Sequence, residues 1–299
     1  MSNPKRHHFV PKAYLDGFID QNTGFLNVYS KRTDRWRKQK PDQVMVRNKY
    51  YRQDWAPEGV DKNILEKRLG AELEPEGLAT LNKLIEMPES LDSHDMAVII
   101  TYLQFQRLRV PRQADMAKAL AKIAITNEMS KTSEGRLALE HAEIIVKDTF
   151  RFEFLQMMAN EFSPFFARMN WEIIEADVGL SFITSDSPVT FFNVDFLPPS
   201  EPGVALYGTI VLFPINKRFL LILKHPEYVN REKAPSESIE DYEFYDGLIA
   251  IRRKVVWGKK DVDRHNSVMW RLSQDLVVGE SKEILEHAIG KPLNGDSAR

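Results

Sequence analysis

The spacing of apolar residues changes twice along this 299-residue chain, and that change most constrains the fold. Apolar residues alternate over 25–30 and cluster again at 44–46, which is typical of strands. Over residues 60–168 they recur at intervals of three and four, as in helices. Short apolar runs of strand length return after Trp171. Blocks of strand, helix and strand favour an α+β fold over a doubly wound parallel sheet.

We therefore predict a small N-terminal β-hairpin, a central helical layer and a β-rich C-terminal half with accessory helices. Ser93, after Asp92, is expected to cap a helix that ends at Pro111. We expect one domain over residues 1–290 (sub-regions 1–57, 58–168 and 169–290), with a loose tail at 291–299. The expected helices are 64–85 (broken near Pro75 and Gly77), 94–110, 113–129, 134–162, 237–256 and 281–289; the expected later strands are 171–174, 182–184, 189–192, 208–212, 219–223 and 269–278.

Composition excludes several classes of protein. The chain has no cysteine, which excludes disulfides, thiolate metal sites and thiol nucleophiles. Apolar runs such as 219–223 have strand length, and the polar N-terminus lacks the apolar core of a signal peptide. Phosphate-loop, dinucleotide-binding, serine-hydrolase and zincin motifs are absent from the sequence. We expect a cytoplasmic protein without a membrane segment.

Positive charge is concentrated near the N-terminus. The whole chain has a formal charge of −2, yet residues 1–54 carry +7 and the remaining residues −9. Aromatic residues at 36, 50 and 51 interleave with these cations, as in nucleic-acid-binding surfaces, although a solvated strand face would show the same pattern. The cations expected to contact nucleic acid are Lys31, Arg32, Arg35, Arg37, Lys38 and Lys40.

Three motifs contain residues suited to chemistry. His7 and His8 precede Val10-Pro11, and two adjacent imidazoles offer metal ligands or acid-base groups. On a strand the two histidines would point to opposite faces. The other two motifs are Gln104-Phe105-Gln106-Arg107-Leu108-Arg109-Val110-Pro111 and Phe182-Ile183-Thr184-Ser185-Asp186-Ser187-Pro188-Val189.

The last two motifs suggest specific roles. Gln106 and Arg109 share a helix face, and Arg109 is suited to clamp a phosphate or a carboxylate. Near a helix end, an arginine also complements the helix dipole. Asp186 is suited to be a metal ligand or a base, with Thr184 and Ser185 orienting it or contacting the substrate, but Ser-Asp-Ser-Pro is also ordinary turn chemistry. A fourth group, Asp261, Asp263 and His265, would point the same way on a strand.

Together the three motifs resemble the uncharacterised family catalogued as domain of unknown function 4238. The resemblance continues through 212–215 and Asn266, so it spans nearly the whole chain. Ser187 stands where we expect that family to favour asparagine. The family has no settled function, so the resemblance implies no activity.

The histidine motif also resembles the first half of an HNH-type nuclease motif. Asn22 and Asn27 are available as further site residues, but the next histidine, His94, lies far outside one such unit. The first hypothesis is therefore a metal-dependent phosphodiester hydrolase with His7, His8 and Asp186 as catalytic residues. His8 and Asp186 would hold Mg²⁺ or Mn²⁺, because the candidate ligands are oxygen and nitrogen.

The alternative hypothesis is a binding protein without enzymatic activity. Its basic hairpin would dock nucleic acid or an acidic protein partner. The histidine and Thr-Ser-Asp motifs would then hold the N-terminus against the body of the protein. Geometry discriminates the two hypotheses: the first requires His8 and Asp186 to converge in an open cleft.

Overall fold

A computed structural model describes residues 6–196, 198, 200–225, 242–244 and 249–290, with only the backbone described at 242–244. This part of the chain has an α+β fold that begins with a small β-rich segment, as predicted. The predicted tail at 291–299 lies outside the described residues. The N-terminal segment contains β1 (Arg6–His8), α1 (Lys12–Leu15), β2 (Leu26–Ser30), β3 (Arg35–Gln39) and β4 (Val46–Asn48).

The helical region follows the predicted spacing, with two corrections. Asp92, not Ser93, is the N-cap of the helix before Pro111, and its carboxylate accepts a hydrogen bond from the Asp95 amide at 2.8 Å. The single helix predicted over 134–162 is divided, because Ile144, Ile145 and Val146 lie between two helices and β-branched side chains disfavour helix. The helices are α2 (Ile64–Arg68), α3 (Glu74–Glu86, after a wider helical turn at Leu69–Leu73), α4 (Ser93–Leu108), α5 (Pro111–Met129), α6 (Ser133–His141), α7 (Phe150–Met157) and α8 (Ser163–Phe166).

The C-terminal half is rich in strands. Its elements are β5 (Asn170–Ala176), β6 (Thr184–Ser185), β7 (Thr190–Phe192), β8 (Ile210–Pro214), β9 (Phe219–Lys224), β10 (Tyr242–Phe244), β11 (Ala250–Trp257), α9 (Lys259–Leu272), β12 (Leu276–Gly279) and α10 (Lys282–Gly290). The order β10-β11-β5-β9-β8-β7 forms a six-stranded sheet in which β5 and β11 are parallel.

Three predictions for this half are wrong. The helix predicted over 237–256 is wrong, because the structure has strand at 242–244 and 250–256. Strand β11 pairs with β5, and sheet pairing outweighs the helical spacing. The strand predicted over 269–278 is helix up to Leu272, and only β12 is strand. Asp261, Asp263 and His265 lie on helix α9 rather than on a strand, so the three side chains do not share a face.

The N-terminal segment is built into the C-terminal half. The four-stranded sheet has the order β3-β2-β12-β6, so strand β2 pairs directly with β12. The Tyr14 hydroxyl donates to the carbonyl of Pro214 at 2.7 Å and accepts from the Thr184 hydroxyl at 2.8 Å. The expected packing of the N-terminus on the C-terminal half is therefore present, and it places the β2–β3 hairpin against residues 274–276.

Within the described ranges, no helix combines the length and the apolar character needed to cross a membrane.

Candidate functional site

A cleft of about 580 Å³ opens between the β2–β3 hairpin, residues 43–47 and residues 274–276, and we call it the basic cleft. Its cationic side chains come from two separate parts of the N-terminal segment. Its lining includes Lys31, Arg32, Arg35, Arg37 and Arg47, with Phe9, Gln39, Gln43, Pro111, Asp186, Gln274 and Asp275.

Strand pairing explains why two of these arginines face the cleft. Arg35 pairs with Ser30 and Arg37 pairs with Val28 across the hairpin. Alternate residues of a strand share a face, so Arg35 and Arg37 project to the same side, while Lys38 belongs to the opposite face. Lys38 lines a separate hollow beside Glu280 and Glu283, which Arg37 also borders, whereas Arg35 lines the basic cleft alone.

The two acids of the basic cleft, Asp186 and Asp275, bond to residues other than Arg35 and Arg37. Asp275 Oδ1 accepts from the Ser30 hydroxyl at 2.8 Å and from the Arg32 amide at 3.0 Å, and its Oδ2 lies 3.6 Å from Arg32 Nη2. Asp186 accepts three backbone hydrogen bonds, described below. Arg35 and Arg37 form no ion pair with any residue in the described ranges. The cleft therefore carries an excess of positive charge.

Lys31 has a different role from the arginines. Its ammonium donates to the Ser273 carbonyl at 2.8 Å and lies 5.2 Å from the ring centroid of Trp270. Burial lowers the pKa of Lys31 to about 8, against the opposing effect of Asp186. Lys31 thus joins the hairpin to the C-terminal end of α9, where a cation is favourable.

The structure separates the predicted nucleic-acid contacts. Lys31, Arg32, Arg35 and Arg37 line the basic cleft, whereas Lys38 and Lys40 do not. Sequence reasoning missed Arg47 and Gln274, which reach the cleft only through tertiary folding. Period-two spacing in β3 was the signal that could have separated Arg37 from Lys38.

The predicted aromatic platform is not in the basic cleft. Trp36 packs on Tyr29 at 4.8 Å between ring centroids, and the Lys282 ammonium lies 5.1 Å from the Trp36 ring. Tyr50 and Tyr51 are buried. The cleft therefore presents guanidinium groups without an exposed aromatic face suited to stacking on bases.

His7 acts as an internal acceptor. The residue is fully buried, and Nδ1 accepts a hydrogen bond from the backbone amide of Tyr51 at 2.8 Å. Its ring stacks on Tyr51 with 8° between the planes. His7 thus fixes strand β1 against the turn that follows β4.

His8 faces a second group of polar residues. Its ring bonds to the Pro41 carbonyl, and Nε2 is buried without a hydrogen-bond partner among the described residues. Its backbone amide donates to Glu66. Burial lowers the pKa of His8 and raises the pKa of Glu66 to about 7, although Arg109 opposes the change at Glu66. Sequence reasoning did not identify Glu66, which has no local motif.

Arg109, the predicted phosphate clamp, is an internal clamp instead. Its side chain has no exposed surface. Nη1 lies 2.7 Å from Glu74 Oε1, Nε donates to the Tyr51 hydroxyl at 2.9 Å, and Nη2 donates to the His8 carbonyl at 2.6 Å. Gln106 is also fully buried. The predicted substrate-binding pair therefore lies inside the protein.

The Thr-Ser-Asp motif fixes the turn before β12. Asp186 Oδ1 accepts from the amide of Gln274 at 2.9 Å, while Oδ2 accepts from the amides of Asp275 at 2.7 Å and Leu276 at 2.8 Å. Burial raises the pKa of Asp186, and these three amides act against that rise. The Ser185 hydroxyl donates to the carbonyl of Ser187 at 3.1 Å. Thr184 bonds to Tyr14, as described above.

His8 and Asp186 do not share a set of neighbours. His8 contacts Pro41, Glu66 and Arg109, whereas Asp186 contacts residues 274–276. Asp186 lines the basic cleft, and His8 is not part of that lining. In the part of the chain that the structure describes, no three His, Cys, Asp or Glu side chains are grouped to hold a metal ion.

His265 is a further buried histidine outside these groups. It packs against Phe182, with ring centroids 5.3 Å apart, and both ring nitrogens are buried without a hydrogen-bond partner among the described residues. Burial lowers the pKa of His265 to about 3. The imidazole is therefore neutral at physiological pH and packs as an aromatic core residue.

Comparisons with known proteins agree with the resemblance of the motifs. A family model described as "Protein of unknown function (DUF4238)" matches residues 6–283. Searches of curated proteins and of solved structures found no match. The match includes the histidine motif, the glutamine/arginine motif and the Thr-Ser-Asp motif, and the chain therefore belongs to the DUF4238 family of proteins of unknown function.

Proposed function

We propose that this protein binds nucleic acid in the basic cleft and recognises the phosphate backbone rather than the bases. The observation that carries this proposal is the pair Arg35 and Arg37. They project from one face of β3, line a concave surface and form no ion pair with a described residue.

The spacing of these cations suits a phosphodiester chain. Alternate residues of an extended strand lie about 7 Å apart, which is comparable to the separation of neighbouring phosphates along an extended nucleic-acid strand. Each guanidinium can donate two parallel hydrogen bonds to a phosphate. Arg47 adds positive charge to the same cleft, whereas Arg32 also lines it but lies 3.6 Å from the Asp275 carboxylate.

The shape of the site favours a narrow strand over a broad protein surface. The cations lie in a cleft of about 580 Å³ rather than on a flat face. Because Trp36 packs on the other side of the hairpin and Tyr50 is buried, base stacking contributes little. We therefore expect weak sequence preference and a strong dependence on salt.

The test compares charge reversal on the two faces of β3. Arg35→Glu should weaken binding of a fluorescent single-stranded oligonucleotide by about tenfold or more, measured by fluorescence anisotropy. Lys38→Glu is the matched control, because it reverses a charge on the same strand but outside the basic cleft. Its effect should be less than about twofold, since Lys38 belongs to the opposite face of β3 and solvent screens its charge.

Salt dependence provides an independent measurement. The logarithm of the wild-type association constant should fall linearly with the logarithm of the salt concentration, and Arg35→Ala should reduce that slope by about 0.7 for a single strand. Equal effects of Arg35→Glu and Lys38→Glu would contradict binding in the cleft. Tighter binding of polyglutamate than of an oligonucleotide of equal charge would favour an acidic protein partner and overturn the proposal.

A further inference from the structure

We propose that the basic cleft continues across Arg47 into a second hollow and that one extended nucleic-acid strand occupies both. This inference rests on the proposed function and assigns it a ligand class, a single strand longer than the cleft alone can hold. The second hollow has a volume of about 320 Å³, and its charged lining residues are Arg47, Lys49, Asp115, Lys118, Asp148 and Arg151.

Arg47 connects the basic cleft with the second hollow, since this residue lines both of them. Its guanidinium carbon lies 5.8 Å from the ring centroid of Phe9 and 5.7 Å from that of Tyr50. These cation–π contacts orient the guanidinium without neutralising it. Arg47 therefore presents positive charge at the junction of the cleft and the second hollow.

The N-terminal end of α5 lies at the same junction. Pro111 lines the basic cleft, while Ala114 and Asp115 line the second hollow. Gln274, from the lining of the cleft, donates to Asp115 Oδ2 at 2.9 Å. The N-cap residue Val110 supplies no side-chain cap to this 19-residue helix, so the positive end of its dipole adds to the field of Arg47.

The second hollow has its own excess of cations. Its two acids share Lys118, whose ammonium lies 3.4 Å from Asp115 and 2.8 Å from Asp148. The remaining cations are Arg47, Lys49 and Arg151. Three cations against the net single negative charge of the Lys118 group leave a positive path beyond the cleft.

Arg151 and Lys49 differ in their contacts with the rest of the protein, and this difference decides which of them to mutate. Arg151 donates to the Tyr50 carbonyl and lies 4.6 Å from the Tyr50 ring centroid, so it also supports packing. Lys49 is exposed and forms no ion pair with a described residue. Lys49 can therefore be changed without removing a buried contact.

The two hollows predict a dependence on ligand length. Oligothymidylates of about 4, 8 and 16 nucleotides cover the site sizes of known single-strand-binding grooves. After correction for the number of binding registers, affinity should rise from the shortest to the middle length as the strand reaches the second hollow. It should then rise little further. A single phosphate group fits either hollow and would show no such increase.

Lys49→Glu should lower the affinity for the 8-nucleotide ligand by about tenfold and leave the 4-nucleotide ligand within about twofold. Lys40→Glu is the matched control, because Lys40 is an exposed lysine of the same segment outside both hollows. Asp115→Asn should raise the affinity for the longer ligand by about threefold, since it removes a negative charge from the path.

The outcomes separate this inference from the proposed function. If Arg35→Glu abolishes binding but Lys49→Glu behaves like Lys40→Glu at every length, the continuous path is wrong and the cleft binds alone. If no oligothymidylate binds the wild type, both proposals fail. Circular dichroism of each variant checks that the fold persists. If Lys49→Glu does not fold, Asp115→Asn decides the test, because the continuous path requires this variant to bind the longer ligand more tightly.

Discussion

Arg109 and Arg35 are arginines that lie near the same N-terminal segment, yet their surroundings are opposite. The Arg109 guanidinium has no exposed surface and contacts Glu74, Tyr51 and the His8 carbonyl. Arg35 lines an open cleft and has no ion-pair partner among the described residues. An arginine whose three side-chain nitrogens all donate internally stabilises the fold, whereas one without an ion-pair partner can bind an external anion.

The same contrast applies to the sequence motifs. The most distinctive residues, His7, Arg109 and Asp186, form internal hydrogen bonds that join distant parts of the chain. The cations of the basic cleft belong to a less distinctive segment. In this protein the unusual motifs supply hydrogen bonds between distant parts of the chain. The candidate site is instead identified by cations that form no ion pair with a described residue.

The largest expected effect follows from removing the internal clamp. Arg109→Ala leaves the Glu74 carboxylate without its partner and removes the donor to the His8 carbonyl. The free energy of unfolding should fall by about 3–5 kcal/mol, because a partly buried charge loses its counterion. Urea unfolding followed by tryptophan fluorescence measures the change.

Arg35→Ala is the control for this comparison. Its free energy of unfolding should stay within about 0.5 kcal/mol of the wild type, as for ordinary surface substitutions. Similar urea midpoints for Arg109→Ala and Arg35→Ala would remove the distinction between the two regions.

A smaller loss of stability is expected at Asp186. Asp186→Asn replaces an acceptor oxygen with an NH₂ group that faces backbone N–H donors, and only one carbonyl oxygen remains as an acceptor. The free energy of unfolding should decrease by about 1.5–3 kcal/mol, the range for hydrogen bonds to charged groups. Thermal or urea unfolding of the variant gives this value.

Calorimetric titration of Mn²⁺ sharpens the interpretation of Asp186. A structural role predicts no difference in Mn²⁺ binding between wild type and a folded Asp186→Asn. Specific binding to the wild type that disappears in Asp186→Asn and in His8→Ala would instead support the metal-dependent hydrolase hypothesis. That result would make this motif part of an active site.

Glu66 gives the buried region a pH dependence. Its folded pKa, about 7, lies above the ordinary value of 4.5 because of burial, so the folded state binds the proton more tightly than the unfolded state does. Stability from this group is therefore lost as the pH rises from about 4.5 to 7, and the penalty is complete above pH 7. Allowing for solvent screening of a partly exposed group, the loss is about 1–2 kcal/mol.

Glu66→Gln should remove this dependence. Urea unfolding at pH 5 and at pH 8 should show that the free energy of unfolding differs less between the two pH values in the variant than in the wild type. At pH 8 the variant should be the more stable of the two proteins. Glu86→Gln, at the exposed end of α3, is the matched control and should keep the wild-type difference. A variant that loses stability at pH 8 would show that the ionised Glu66 is favourable in the fold.

Local sequence patterns predicted the parts of the fold that depend on local interactions. Alternation predicted the hairpin, whereas the register that places Arg35 and Arg37 on one face comes from the structure. The burial of His7 and Asp186 was not predictable in this way, since their partners are backbone amides 44 and up to 90 residues away. Arg47 was missed for the same reason, because its position beside α5 depends on tertiary packing.

The smallest expected effect on stability concerns Arg35 and Arg37 of the cleft, and it is a gain in the free energy of unfolding rather than a loss. Arg35 and Arg37 lie on one strand face and repel each other, so replacing both with glutamine should raise the free energy of unfolding by a few tenths of a kcal/mol, about 0.3–0.5, at low salt. The gain should vanish near 1 M salt, where the Debye length is about 3 Å. Urea unfolding at both salt concentrations measures the difference. If the protein is more stable without these two arginines but binds an oligonucleotide only with them, their charges serve a ligand. If the double variant instead loses stability at low salt, the two arginines stabilise the fold, as Arg109 does.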